Sequence, residues 1–268
     1  MFSERELYAA LRGGEFFLEY LPITALADER CVGAEALIRW QRGDRVVPPL
    51  EFIPAIEDTL LSGLITYWVI DKVAEDLGDW LRSTPGAFIS INVPPRELHG
   101  AGLLYAAQKS RLSDVIDQIV IEITERGVPD QMAVQNMNDR ALYTNVLIAL
   151  DDVLSREAGL LVFGKLKVDM VKVDKSYIDL IMQEGWPTAN DRRLLRLLRH
   201  TQYTVICEGV EHRRQVEVLM KARVPYVQGW YYSRSLRAAA FLDYFATHAV
   251  GERSHRGGLT VLQGLTQL

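Results

Sequence analysis

The sequence predicts an α/β fold, a TIM-like (β/α)8 barrel with an irregular, antiparallel first strand, on three observations. Eight short apolar runs of strand character punctuate the chain, close to the number that closes a barrel. From the third run onward they alternate with helical stretches, as parallel strands joined by crossover helices do. The length of 268 residues suits one such barrel, for which about 250 residues is typical.

Taken in order, Ser3 and Glu6 form a capping box, S-x-x-E, that opens a short helix, and Gly13 and Gly14 stop it. FFLEYLPI is the first strand and CVGAEALIRW the second, and the two are expected to pair as an antiparallel hairpin around Ala27-Asp28-Glu29-Arg30. A helix follows from about Pro54 to Leu81, then strand AFISINV, a helix near Glu97 to Gln108, and strand QIVIEIT. The next helix lies near Ala133 to Tyr143, and Asn145, a residue that tolerates αL geometry at a helix C′ position, precedes strand NVLIALDD. A short helix or loop through Ser155 to Phe163 leads to strand MVKVD, a helix near Asp191 to His200 and strand YTVICEGV. Helix Arg213 to Ala222 and the short strand YVQGW complete the series. The barrel is thus assigned to residues 1–248, and the Gly/Arg/Ser-rich stretch with its short apolar end, 249–268, to a flexible C-terminal tail or linker.

Composition narrows the function. A hydrophobic content of 49% fills a sizeable core, while a net charge of −5 and a pI near 5.6 provide no global basic surface for a nucleic-acid polymer. Cys31 and Cys207 sit in apolar runs far apart in sequence and read as buried free thiols of a reducing compartment. The N-terminus lacks the apolar core of a signal peptide, and no apolar run approaches the roughly 20 residues of a membrane span. The expectation is a cytoplasmic chain without direct membrane insertion, or the cytoplasmic part of a membrane-tethered parent.

Seven polar residues carry the chemistry because they share a position, the end of a strand-like run: Glu35, Asn92, Glu122, Asp151, Asp152, Lys172 and Glu208. A single Glu in such a run is ordinarily structural, and Asp-Asp at a strand end commonly caps the next helix. If the strands are parallel, however, all seven converge on one rim, where a barrel keeps its active site. Their oxygen-only ligands select hard divalent ions such as Mg2+, Mn2+ or Ca2+. Two ions about 4 Å apart promote in-line displacement at phosphorus, and a protonated lysine among carboxylates orients water or stabilises transition-state charge. Phosphodiester hydrolysis fits this set better than acyl transfer. The five histidines, His99, His200, His212, His248 and His255, fall in helical or terminal segments, away from any nucleophile–base arrangement. Arg39 and Trp40 read as a phosphate contact and a base-stacking or rim-packing residue, Tyr67 and Trp68 as core, Glu211 as a helix cap, and Gln228 as within reach of the cluster.

These residues resemble a known family. Glu35-Ala36-Leu37 in GAEALIRW, Asn92 in INV, Glu122-Ile-Thr-Glu125, Asp151-Asp152, Lys172-Val-Asp174, Glu208-Gly-Val-Glu211 and Gln228-Gly229 resemble, in order, the signature series of EAL-domain cyclic di-GMP phosphodiesterases. The likeness runs from about Phe16 to Phe245. It implies two Mg2+ or Mn2+ ions, inhibition by Ca2+, and hydrolysis of cyclic di-GMP to linear pGpG in bacterial second-messenger signalling. By the same likeness Glu35, Asn92, Glu122 and Asp151 are ligands of one ion, while Asp151, Asp152 and Glu208 serve the other directly or through water. Lys172 holds the nucleophilic water, with Glu35 and Glu208 also counted as catalytic. Leu37, Arg39 and Glu211 contact substrate, Gln228 contacts substrate or a metal-bound water, and Glu125 supports the loop after the paired aspartates. A homodimer and an upstream sensory domain are implied partners.

Two positions depart from the family pattern. Leu21 stands in the first strand where the family carries a ligand-contacting glutamine, and Val153 to Gly159 replaces the family's FGTGYSS loop. Turnover is accordingly expected to be slow or regulated. The alternative reading is a catalytically silent EAL domain serving as a cyclic di-GMP receptor or protein-interaction module, and a weaker third is a different barrel phosphohydrolase.

Overall fold

In the computed structural model the described residues are 2–57, 59–99, 102–124, 145–151, 168–183 and 203–249. Strands β1 (Phe16–Ala25) and β2 (Arg30–Arg42) form the expected antiparallel hairpin, with Glu29 in the turn at a positive φ of 55°. A short β3 (Arg45–Val47), absent from the sequence reading, folds back on the end of β2. Strands β4 (Phe88–Asn92), β5 (Ile119–Thr124), β6 (Leu147–Asp151), β7 (Met170–Val173), β8 (Thr204–Cys207) and β9 (Tyr226–Gln228) then follow β2 in parallel order. Because β1 pairs antiparallel with both β2 and β9, eight strands close into a barrel with β3 as a flange. The reversed strand carries the irregularity: its register slips between Ile23 and Thr24. Asn145 takes the positive φ, 72°, that its place before β6 suggests.

Helices cover the outside. The capping box of α1 (Glu4–Arg12) is present in both directions, Ser3 accepting from the Glu6 backbone and Glu6 accepting from that of Ser3. The helix expected from Pro54 starts later. Segment α2 (Pro49–Phe52) and a 3-10 turn holding Pro54 come first, and α3 (Leu60–Ser83) begins only where Thr59 accepts a hydrogen bond from the Leu61 backbone. Along α3, Leu61, Ile65, Val69, Val73, Leu77 and Leu81 recur every four residues and are all buried. Each contributes about 1.5–3 kcal/mol by leaving water, so this one stripe anchors the helix.

The helix expected over Glu97 to Gln108 is split into a 3-10 segment, Pro95–His99, and α4 (Gly102–Lys109). Besides the single turn α2, the sequence does not predict two α-helices among the described residues: α5 (Lys175–Gln183), directly after β7, and α7 (Ala238–His248), which follows α6 (Arg213–Lys221) and β9. Phe241 of α7 is fully buried, 5.8 Å from the Tyr20 ring and 5.3 Å from that of Trp80. The helices expected near 133–143, 155–163 and 191–200 lie outside the described residues, as does the tail from residue 250 onward.

Trp40 does not stack a base. It is 1% exposed, its ring packs against Phe2, Phe16 and Phe52, and its indole N–H donates to Glu15 at 2.8 Å. Strand alternation turns it outward from the barrel under α2, where its large apolar surface belongs. Tyr67 and Trp68 pack at the edge of the same core, and Cys31 and Cys207 are both free and buried. Among the described residues no helix is long and apolar enough to cross a membrane.

Candidate active site

The floor of the barrel is an apolar layer to which Phe88, Val120, Ala149, Met170, Ile206 and Tyr226 each contribute from a successive strand. Side chains two residues further along a strand point the same way, one level up. Those residues are Ser90, Glu122, Asp151, Lys172, Glu208 and Gln228, and the sequence turns from apolar to polar on every strand at this step. Glu35 joins from β2, where it pairs in register with Ser90, and Asn92 closes β4 one level higher. Strand alternation within parallel register therefore brings together Glu35, Asn92, Glu122, Asp151, Lys172 and Glu208 of the expected set.

Lys172 occupies the middle and is 1% exposed. Its Nζ lies 2.5 Å from Glu208 Oε1, 2.8 Å from Glu122 Oε2, 3.2 Å from Glu35 Oε2 and 3.8 Å from Asp151 Oδ1. Glu35 and Glu122 accept hydrogen bonds from this ammonium, and Glu208 and Asp151 pair with it as ions. Gln228 Nε2 donates to Glu35 at 2.7 Å and to Glu208 at 3.1 Å, and Asn92 Nδ2 donates to Glu35 at 2.8 Å.

This crowding divides the titrations. Burial works against the charged form of Lys172, but Glu122, Glu208, Glu35 and Asp151 outweigh it and hold the ammonium well above the usual lysine range. Burial raises Glu35 as well, yet Lys172 and the hydrogen bonds from Asn92 and Gln228 prevail and keep it below the ordinary carboxylate range. Glu122 has no such helpers among the described residues: burial and the neighbouring Glu35 push it well up despite Lys172. Burial pushes Glu208 up, Lys172 pulls it down and Asp151 and Glu35 push again, leaving it at about 8.

Glycines fix the ends that carry two of these groups. Gly209 turns the chain after Glu208 with φ +63°, and a Cβ there would lie 2.5 Å from Lys175 Cβ. Gly229 follows Gln228 at φ +154°, where a Cβ would approach the Val210 backbone to 2.3 Å.

Leu37 lines a pocket of about 340 Å3 beside Glu35 and Asn92, with Pro49, Ile53 and Pro94 among its walls. Arg39 donates to Glu19, to the Ile38 carbonyl and to Ser235. Glu211 does not cap α6: His212 is the N-cap residue, and Gln215, in the first turn, reaches back so that its Oε1 accepts from the Glu211 and His212 backbone N–H groups. The Glu211 carboxylate pairs with Lys175 at 3.3 Å. Leu21 faces Glu35 across the β1–β2 pair. Asp152, Glu125 and the loop 153–159 lie outside the described residues. Glu19, Ser90 and Ser235 were not singled out from sequence, although the inward phase of strands β1 and β4 marks the first two.

The donor set suits hard cations. Among the described residues no three acids form a ligand group as they stand, because they are turned onto Lys172. Yet Glu122 Oε1 and Gln228 Oε1 are buried acceptors that no donor among the described residues satisfies. Buried lone pairs without donors are costly, and a cation or its water relieves them. The residues thus fit Mg2+ or Mn2+.

The sequence profile of the EAL domain family matches residues 4–235. This chain belongs to the EAL domain family. Over 250 residues the EAL domain is 32% identical to a protein of Escherichia coli strain K12 named probable cyclic di-GMP phosphodiesterase PdeB, covering 90% of this chain and 47% of that protein. It superposes with a TM-score of 0.79 on the EAL enzyme Bd1971 in a cAMP- and cyclic-di-GMP-bound form, at 26% identity over 90% of this chain and 68% of the other. With an EAL domain protein from Listeria monocytogenes EGD-e the TM-score is 0.75 at 26% identity, over 92% and 98% of the two chains. The chain spans about half or less of the length of the curated relatives it matches.

Proposed function

We propose that this EAL domain hydrolyses cyclic di-GMP to linear pGpG in bacterial second-messenger signalling. The observation that carries the reading is the meeting of Glu35, Glu122, Asp151 and Glu208 around one buried Lys172. The relatives support it, since PdeB is named a probable cyclic di-GMP phosphodiesterase and one Bd1971 structure is a cyclic-di-GMP-bound form.

In this proposal Glu35, Asn92, Glu122 and Asp151 would hold one Mg2+ or Mn2+ ion, and Asp151, Asp152 and Glu208 the other. When bound, such ions supply positive charge that activates water and stabilises the leaving oxygen. Lys172, kept protonated by its four acidic neighbours, orients the attacking water and stabilises charge on the phosphoryl oxygens. The water oxygen bonds to phosphorus as the bond to the 3′ oxygen breaks. One water proton passes to the acidic layer, and the 3′ oxygen is protonated from solvent. Gln228 holds Glu35 and Glu208 in place. Leu37 offers an apolar wall to a base, Arg39 binds a phosphate, and Glu211 is a substrate contact held at rest by Lys175.

Ca2+, which prefers larger and less regular coordination, is expected to inhibit. A cytoplasmic location, Glu125 as the support of the loop after Asp152, a homodimer and an upstream sensory domain that governs a slow turnover belong to the same proposal.

The test is incubation of the purified chain with cyclic di-GMP and Mg2+ or Mn2+, followed by separation of products. Linear pGpG is expected, and Glu35→Ala is expected to abolish it while thermal unfolding stays cooperative. Binding of cyclic di-GMP without any pGpG, at every ion concentration, would make the chain a receptor.

A further inference from the structure

Arg39 lies two residues beyond Leu37 on the inward face of β2, and Glu19 stands directly opposite Leu37 on β1. Glu19 is therefore the diagonal neighbour of Arg39, close enough for long side chains to meet. Its Oε2 accepts from Arg39 Nε at 2.9 Å and from Ser235 Oγ at 2.6 Å, while Ser235 Oγ accepts from Arg39 Nη2 at 3.3 Å. A third bond runs from Arg39 Nη1 to the Ile38 carbonyl at 3.0 Å. Ser235 is itself held in place: the next residue, Leu236, exchanges backbone hydrogen bonds with Tyr20 at 2.7 and 2.9 Å, so the segment after β9 lies along the upper edge of β1.

Among the described residues three of the five guanidinium N–H donors are engaged, leaving one on each terminal nitrogen. Two such donors suit the oxygen pair of a phosphodiester, which an arginine binds end-on. Arg39 is 17% exposed and Glu19 24%, so the pair is shielded yet open to a ligand.

We propose that Glu19, braced by Ser235, is a positioning residue that aims the free edge of Arg39 at a phosphate of the substrate. The assignment rests on the phosphodiesterase reading. Glu19 touches no reacting atom; it restricts Arg39 to one orientation before ligand arrives, which lowers the ordering cost of binding. Ser235 fixes which way the Glu19 carboxylate is turned.

The test compares wild type, Glu19→Ala, Glu19→Gln and Ser235→Ala in steady-state hydrolysis of cyclic di-GMP with Mg2+, with a thermal melt of each. Glu19→Ala is expected to raise KM about tenfold with kcat within about twofold of wild type. Glu19→Gln keeps an amide oxygen that accepts both hydrogen bonds, and its KM is expected within about threefold of wild type, with Ser235→Ala between the two. A KM unchanged in Glu19→Ala while Tm drops would mark an ordinary cross-strand ion pair and overturn the proposal, as would equal losses in the Ala and Gln variants. Should wild type bind cyclic di-GMP without cleaving it, the phosphodiesterase reading fails alone, and the same ordering of dissociation constants supports or overturns the positioning role. A wild type that does neither overturns both.

Discussion

Leu21 shows how one side chain separates affinity from chemistry. It faces Glu35 across the β1–β2 pair, close to the pocket beside Leu37, and it offers a ligand no hydrogen bond. Restoring a polar partner is worth about 1 kcal/mol, so Leu21→Gln is expected to lower the KM for cyclic di-GMP about fivefold while kcat stays put, as steady-state kinetics would show. Lys172 is the opposite case, since its charge answers four acids at once. Removing one partner of a buried ionic cluster costs about 3–5 kcal/mol. Lys172→Ala should therefore lose turnover and, without divalent ions, lose stability of that order in urea titrations; a loss under 1 kcal/mol would mean that the ammonium is more solvated than its burial implies. Leu21 stands out only against the family pattern, but Lys172 and its acidic partners were legible in the sequence because each interrupts an apolar run. Ser235 was not, because its role depends on the Leu236–Tyr20 pairing between segments over two hundred residues apart.

Strands were easier to read than helices, for a physical reason. Each barrel strand is buried on both faces and appears as a short, dense apolar run ended by one polar residue, whereas a surface helix shows only a stripe. Thus β4 to β9 fell where the runs lie, but α5, beginning immediately after β7, was hidden in the run-off from MVKVD, and α7 was missed because Phe241 alone of its residues is fully buried. The start of α3 was misplaced because Pro54 suits a first helical turn, while the actual N-cap, Thr59, comes five residues later. The strand ends also carry constraints that sequence shows only as a glycine. At Gly229, a φ of +154° and a Cβ approach of 2.3 Å to the Val210 backbone leave an alanine nowhere to go. Gly229→Ala is expected to cost about 1–3 kcal/mol, and, because Gln228 must shift with it, to lower kcat as well as Tm. Full activity in this variant would show that Gln228 holds its place without the turn.

At the scale of the whole molecule, closure of the barrel places an acidic layer on an apolar floor, and both layers come from the same strands. The fold therefore bears directly the cost of bringing four carboxylates together, relieved in part by Lys172 and the amides of Asn92 and Gln228. An ion that binds this layer binds only the folded chain, because the unfolded chain cannot assemble ligands from five strands. At a hundred times its dissociation constant such an ion stabilises the native state by about 2.7 kcal/mol. For a chain of this size that corresponds to a rise in Tm of roughly 5–10 °C. Adding Mg2+ or Mn2+ to protein stripped with EDTA should produce that rise in a calorimetric melt, and Glu122→Gln should shrink it, because Glu122 combines complete burial with an acceptor oxygen that no donor among the described residues satisfies. The ordering is what matters: a Tm shift of equal size in wild type and Glu122→Gln would place the ions elsewhere on the surface, whereas a shift confined to wild type ties ion binding to the layer that the alternating strands build.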